Sequence, residues 1–157
     1  TLIHMKKYIL PSIIFILINF IGLAIGGIWT NQGVTSDWYN TALKAPWTPP
    51  GWVFGAAWTL IAITFGIAMS KVWRKKDNEL IVLFILSWLM NLLWNPLFFL
   101  LQSTGLALIV IINLSLLVFA ITHYIRVRHG KWYLFCLPYF IWLQIATSLN
   151  MYIWLMN

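Results

Sequence analysis

The charges of this chain sit in short clusters, and the stretches between them are too long and too apolar for an ordinary surface. Charge-free windows cover residues 8–36, 45–70, 80–125 and 132–157. A spanning helix needs about 20 mostly apolar residues. Three windows fit one span each. The 80–125 window would make about 69 Å of helix, twice a hydrocarbon core of about 30 Å, so it is expected to fold back on itself. The expected break is Gln102-Ser103-Thr104-Gly105, its most polar and turn-prone stretch. The predicted fold class is therefore an all-α membrane protein, a single domain over residues 1–157. It is a five-transmembrane-helix bundle with spans at about 8–29, 51–71, 80–101, 105–125 and 133–155. The apolar runs are continuous rather than alternating, which argues against barrel strands.

Composition agrees. Hydrophobic residues make up 62% and charged residues 8%, against about 25% charged in soluble domains. Such a chain cannot cover itself with a charged surface. The lone Cys136 excludes an internal disulfide framework and a Cys-cluster metal site.

Orientation follows from Lys and Arg. Lys6 and Lys7 precede the first span. Lys71, Arg74, Lys75 and Lys76 fill the second loop, and Arg126, Arg128 and Lys131 the fourth. Only Lys44 lies in the first loop. This positive-inside pattern places the N-terminus inside and the C-terminus outside, and it requires an odd number of spans. The net charge of +7 is accounted for by topology and contact with anionic lipid, with no nucleic-acid partner. The run from Tyr8 to Trp29 exceeds a signal-peptide core and reads as a retained span. Thr1-Leu2-Ile3-His4, ahead of Met5, take no part in the functional reading.

The first loop, residues 30–50, is long for a helical connection and aromatic, with Trp38, Tyr39 and Trp47. Pro46, Pro49 and Pro50 stiffen its end. An interfacial belt explains some of these rings. A lid over a cavity between helices explains the length and stiffness as well. Of the 11 tryptophans, Trp29, Trp52, Trp73, Trp132 and Trp154 fall near span ends and suit a belt. Trp58, Trp88, Trp94 and Trp142 lie deeper, where an indole N–H wants an acceptor.

Helix three carries Asn91 and Asn95 on one face, extended by Trp88 and Phe98. Pro96 weakens the backbone ladder beside them. Helix five carries Trp142, Ala146 and Asn150 on one face, and helix four contributes Asn113. Interhelical hydrogen bonding and ligand binding both account for any one Asn. Polar and aromatic residues sharing faces on two helices favour a pocket. Gly51, Gly55, Ala62, Gly66 and Ser70 on helix two, and Gly22 and Gly26 on helix one, read as close-packing stripes, for the bundle core or a dimer. No ionisable side chain lies mid-span, which argues against ion-coupled transport. His123 reads as interfacial. Ser103, Ser115 and Ser148 have no evident His–carboxylate partners.

The run Trp38-Tyr39-Asn40-Thr41-Ala42-Leu43-Lys44-Ala45-Pro46-Trp47-Thr48-Pro49-Pro50, with Trp52-Val53-Phe54-Gly55 and Trp58, resembles the signature of the tryptophan-rich sensory protein/translocator protein (TspO/MBR, peripheral-type benzodiazepine receptor) family. So do Trp88, Asn91, Asn95 and Phe98-Phe99, and Leu137-Pro138-Tyr139, Trp142, Ala146, Leu149-Asn150 and Tyr152-Ile153-Trp154. The resemblance covers the chain after the first span. It implies a five-helix bundle, often a homodimer, in a bacterial membrane or the mitochondrial outer membrane. The compact chain favours a bacterial cell membrane. It also implies binding of porphyrins such as protoporphyrin IX and haem, and of isoquinoline or benzodiazepine drugs. The implied ligand-binding residues are Tyr39, Trp47, Trp58, Asn91, Asn95, Phe98, Trp142, Ala146 and Asn150. Trp58 and Trp142 match the tryptophans associated with light-dependent porphyrin breakdown in some bacterial members. Leu43-Lys44-Ala45-Pro46 departs from the Lys-Pro pair common in the loop motif. No basic residue follows Tyr152, so the sterol motif of mammalian members is incomplete.

Three functions follow as expectations. The first is a tetrapyrrole receptor and sensor that requires no cofactor or metal, the porphyrin being its ligand. The second is light- and oxygen-dependent porphyrin degradation, with Trp58 and Trp142 as photochemical residues. The third is passive transport of porphyrin or lipid.

Overall fold

The computed structural model describes the backbone of residues 2–157 and the side chains of residues 7–157, so the side chains of His4 and Lys6 lie outside the described residues. Among these residues all regular structure is helical. The elements are α1 (Leu2–Val34), α2 (Asp37–Thr41), α3 (Gly51–Arg74), α4 (Asn78–Asn95), α5 (Thr104–His129) and α6 (Leu137–Met156). A π-helical turn, Pro96–Leu100, follows α4, and a 3-10 segment, Gly130–Cys136, joins α5 to α6. Four stretches are long and apolar enough to cross a membrane: Lys7–Val34, Gly51–Arg74, Asn78–Leu100 and Thr104–Met156. The last contains both α5 and α6. The protein is an all-α, membrane-spanning bundle.

Where the helices end has local causes. α1 runs past Trp29 to Val34, so the first residues assigned to the loop are its last turn. Thr35 Oγ1 donates to the carbonyls of Asn31 and Gln32, and Ser36 Oγ to that of Gly33. These hydroxyls satisfy carbonyls that a helix end leaves open. Ser36 Oγ also accepts from Tyr39 N at 3.2 Å and so caps α2. The break within 80–125 falls where the sequence places it. Pro96 lacks an N–H, the ladder widens so that Leu101 N donates to Pro96 O at 2.9 Å, and Gln102 turns the chain with a φ of 52°. α5 runs to His129 and stops at Gly130, whose φ of 67° only glycine adopts cheaply. The 3-10 segment delays α6 to Leu137, a turn later than predicted.

Backbones approach closely where α1 meets its neighbours. A Cβ at Gly66 of α3 would lie 2.8 Å from Ile16 N, so the two backbones touch. One turn away, Asn19 Nδ2 donates to Ala62 O at 3.1 Å. On α1's other side Gly22 seats the Trp88 indole, Gly26 the Asn95 amide and Gly33 the Phe99 ring. That order makes α1 parallel to α4. α5 and α6 run antiparallel: Asn150 Nδ2 donates to Thr104 O at 2.9 Å, and the rings of Phe119 and Phe140 lie 5.6 Å apart. Gly22 and Gly26 thus serve the bundle core. Gly51 and Gly55 face open space, so only the inner half of the α3 stripe is used.

Cations gather at one end. Lys71 Nζ donates to the Tyr8 hydroxyl at 3.3 Å, and Arg74 Nη1 donates to Lys7 O at 3.0 Å. That carbonyl is the one Pro11, four residues on, leaves without a helical donor. Asp77 caps α4 through Leu80 N and accepts from Arg128 at 3.1 Å, with His129 Nε2 also 3.1 Å away.

Two substitutions on α3 should separate. Gly66→Ala drives a methyl into the Ile16 backbone and should destabilise by about 1–3 kcal/mol, as overpacking does. Gly55→Ala meets nothing and should be neutral or stabilising by up to about 1 kcal/mol, since alanine is the better helix former. Thermal unfolding in detergent followed by circular dichroism checks the pair.

Candidate functional site

The deep side chains of α3, α4 and α6 converge with α1 on one internal space. Trp58, Ser87, Asn91 and Tyr139 line it with Asn19 of α1. Trp58 and Tyr139 pack edge to face with centroids 5.9 Å apart, and Phe65 meets Tyr139 at 5.2 Å. The space they leave is about 20 Å³, room for about one water. Ligand pockets run to about 300–1,000 Å³. Any flat organic molecule therefore enters only if these walls part.

Trp142 lies one turn along α6 from Tyr139. Only 6% of it is exposed, and it packs edge-on to Phe54 of α3 at 5.3 Å. Its indole nitrogen is buried and has no hydrogen-bond partner among the described residues. Ala146, on the same face, is half-buried against this core. Asn91 offers its backbone carbonyl to Asn95 Nδ2 at 3.1 Å and lines the small space.

The other predicted residues take different positions. Asn95 Oδ1 accepts from Thr30 Oγ1 at 2.8 Å, which ties α4 to α1. Asn150 is 1% exposed; it accepts from Trp94 Nε1 at 2.9 Å and donates to Thr104 O. Asn95 is thus tied to α1 through its oxygen and to its own helix through its nitrogen, while both ends of the Asn150 amide are engaged by neighbouring segments. Phe98 is buried in a second aromatic cluster, stacked on Trp94 at 4.9 Å and edge-on to Trp38 at 5.6 Å. Tyr39 joins that cluster through Phe99 at 5.8 Å. Burial raises its phenol pKa above the usual value, so it stays neutral at physiological pH. Lys44 Nζ donates to Tyr39 O and stands 4.5 Å over its ring. Trp47 lies furthest out, 55% exposed. Its Nε1 donates to Ser148 Oγ at 3.1 Å, and its ring meets Tyr152 at 5.5 Å.

Among the predicted residues, then, Trp58 and Asn91 line one space, while Trp142 and Ala146 lie further along α6, with Trp142 against Phe54. Tyr39 and Phe98 belong to a neighbouring cluster, Asn95 and Asn150 tie helices together, and Trp47 rides on the outer face of α6. Asn113 takes no part; its amide donates to Ile109 O of its own helix. Sequence reasoning passed over Asn19, Ser87 and Tyr139 as lining residues. Each carried a signal. Ser87 is four before Asn91, Tyr139 is three before Trp142, and Asn19 is a polar side chain deep in an apolar span.

The first loop is fastened to α6. Leu43 N donates to Asn157 Oδ1 at 2.9 Å, and Asn157 Nδ2 returns a bond to Leu43 O at 3.3 Å. With Trp47 on Ser148, this holds residues 43–47 across the end of the bundle.

Replacing Asn150 by Leu strands a buried indole donor and should destabilise by about 1–3 kcal/mol. Asn91→Leu should cost much less, because no side-chain bond of Asn91 is made among the described residues. Unfolding midpoints of the two variants in the same detergent make the comparison.

Sequence comparison places this geometry in a known group. The profile of the TspO/MBR family matches residues 14–155. The tryptophan-rich protein TspO of Archaeoglobus fulgidus is 38% identical over 140 residues, covering 87% of this chain and 90% of that protein. The protein CrtK of Rhodobacter capsulatus is 31% identical over 153 residues, covering 93% and 94%. The human translocator protein is 27% identical over 157 residues, covering 92% and 88%. With a match across nearly its whole length, the chain belongs to the TspO/MBR family.

Proposed function

We propose that this protein is a membrane receptor and sensor for tetrapyrroles, protoporphyrin IX or haem, that also admits isoquinoline- or benzodiazepine-type drugs. The observation that carries this reading is the Trp142 indole. A buried donor without an acceptor costs about 1–3 kcal/mol, and a ligand that offered it an acceptor would recover that cost. Its surroundings, Phe54 beside it and Trp58 and Tyr139 along the same wall, suit a flat aromatic ligand. Family membership favours a porphyrin as that ligand. In this reading the walls part between α3 and α6. Trp58 and Trp142 stack on the ring, Asn91 supplies a polar contact, and Asn95 and Asn150 hold the helices. Tyr39, Phe98, Ala146 and Trp47 shape the outward end. Residues 35–50 are the lid.

The wider arrangement is part of the same proposal. The chain is a single domain with five spans, because α5 and α6 are antiparallel and each is long enough to cross. The basic end is cytoplasmic and the C-terminus outside a bacterial cell membrane. The protein works as a homodimer.

A second reading is oxidative breakdown of bound protoporphyrin under light and oxygen. It is favoured by the contact of oxidisable rings in Trp58 and Tyr139, with Trp142 a turn away. The bound porphyrin would supply the light absorption. The protein would hold Trp58 and Trp142 against it.

Protoporphyrin IX titrated in the dark into detergent-purified protein should quench Trp fluorescence saturably. Trp142→Phe keeps the packing, removes the donor and should weaken binding about tenfold, equivalent to about 1.4 kcal/mol. Unsaturable quenching would overturn the receptor reading. Illuminating the same samples in air separates the second reading. A new absorbing product that disappears in Trp58→Phe supports it, and equal turnover in dark and light removes it. Stopped-flow mixing tests the lid: Asn157→Ala should speed porphyrin association several-fold.

A further inference from the structure

The structure holds a larger cavity than the internal space, on the outside of the bundle. It is an apolar groove of about 440 Å³, bounded by Pro11, Ile14 and Ile18 of α1, Trp73 of α3, and Ile85 and Trp88 of α4. Phe15 forms its floor, buried edge-on to Phe84 at 5.2 Å and facing Trp73 at 6.2 Å. The deep end is closed by Trp88, whose indole is fixed by donation to Ile18 O at 3.1 Å. Pro11 to Ile18 and Ile81 to Trp88 each run along a helix, so the groove extends inward for about 10 Å at 1.5 Å per residue. Ile14, Trp73 and Ile85 are all exposed on the lipid-facing surface.

The mouth of this groove is basic. Trp73 is followed by Arg74, Lys75 and Lys76, and Lys7 stands one turn before Pro11. Arg74 is held at the mouth by its bond to Lys7 O and by packing 4.9 Å over the Tyr8 ring. The guanidinium has further N–H donors to offer. The acidic residues of this end, Asp77 and Glu79, are engaged by Arg128 and His129. Among the described residues no ion pair involves Arg74, Lys75 or Lys76. An apolar slot thus opens beside cations that no carboxylate among the described residues neutralises.

We propose that this groove is a binding site for an anionic phospholipid. One acyl chain lies between α1 and α4 down to Trp88, and the headgroup phosphate sits on Arg74, with Lys7 and Lys75 beside it. Guanidinium suits phosphate because it presents paired donors, and basic side chains at this depth draw anionic lipid. The occupant differs from the flat ligand of the interior, and the two sites are separated by the α1–α4 contact at Gly22 and Trp88.

The test uses the full chain, delipidated in detergent and given dioleoylphosphatidylglycerol or dioleoylphosphatidylcholine. Native mass spectrometry counts retained lipid, and unfolding temperature reports its effect. One phosphatidylglycerol per chain should be retained at least fivefold more than phosphatidylcholine, with a larger rise in unfolding temperature. Arg74→Gln should abolish the preference while leaving residual retention of both lipids. Ile14→Trp, which fills the slot, should remove retention of both. Because Arg74 also braces Lys7 O, Lys75→Gln serves as a second charge variant and should reduce the preference without lowering lipid-free stability. Equal retention of the two lipids, or a preference unchanged in both charge variants, would overturn the proposal. Disulfide cross-linking between copies through Ile14→Cys in phosphatidylglycerol vesicles would also overturn it, by showing a second chain in the groove.

Discussion

At Gly66 the backbone of α3 rests on the backbone of α1 at Ile16, and the rest of the bundle is arranged around that contact. Lipid tails are as apolar as leucine, so helices in a membrane gain little by merely hiding hydrophobic surface. They associate where backbones approach closely and where polar groups find partners. The Gly66 contact brings Asn19 within reach of the Ala62 carbonyl. It also turns α1 so that Gly22, Gly26 and Gly33 face α4 and the π turn, where Trp88, Asn95 and Phe99 fill the space that the missing side chains leave. One helix without a charged residue in its apolar stretch thus positions two others.

Much of this was legible in the sequence, and the reason is the bilayer. Charges are costly in hydrocarbon, so charge-free windows mark helices more sharply than hydrophobic periodicity does in soluble proteins. Gln102-Ser103-Thr104-Gly105 marked the fold-back because polar, turn-prone residues disrupt the only backbone arrangement a membrane accepts, and the structure adds Pro96 to the cause. Helix ends were less legible. Whether α1 stops at Trp29 or Val34 depends on hydroxyls at Thr35 and Ser36 reaching back, and no composition window registers that. The surroundings of the candidate residues were half legible. Spacing places residues on one face of α4 or α6, but a face does not reveal its partner. Asn91 and Asn95 share one, yet Asn91 meets the internal space while Asn95 is consumed by Thr30. Trp94, three residues from Asn91, takes up Asn150. Those outcomes depend on the rotation of neighbouring helices, which Gly66 and Gly22 set and no single helix encodes.

The two ends of the bundle are held by different forces. At the basic end Asp77 caps α4 and gathers Arg128 and His129, so one carboxylate joins the α3–α4 turn to the end of α5. Asp77 and His129 are largely buried, and their contact lies beside the buried side chains of Val72, Leu80 and Ile125, so it orients what packing already holds. At the opposite end there is little charge. The first loop is retained by Trp47 and by the Asn157–Leu43 amide pair, and beneath it lies the aromatic cluster of Phe98, Phe99 and Tyr39.

This asymmetry decides where the bundle can open. On the α1 side, separation would break backbone-to-backbone contact and strand the indole of Trp88 and the amide of Asn19 in hydrocarbon, where neither has water to turn to. On the α6 side, the bonds at Leu43, Trp47 and Ser148 are exposed, so water and lipid headgroups replace them at small net cost. The walls beneath, Phe54 against Trp142 and Trp58 against Tyr139, meet through aromatic edges rather than through hydrogen bonds. Under the proposed function, parting them forfeits packing that a flat aromatic guest would restore, and the guest would give the Trp142 donor the acceptor it lacks among the described residues. Under the proposed function, α1 with the inner half of α3 is the fixed frame. The loop and the α3–α6 contact at Phe54 and Trp142 are the parts that yield, while Asn150 keeps α6 on Trp94 and Thr104.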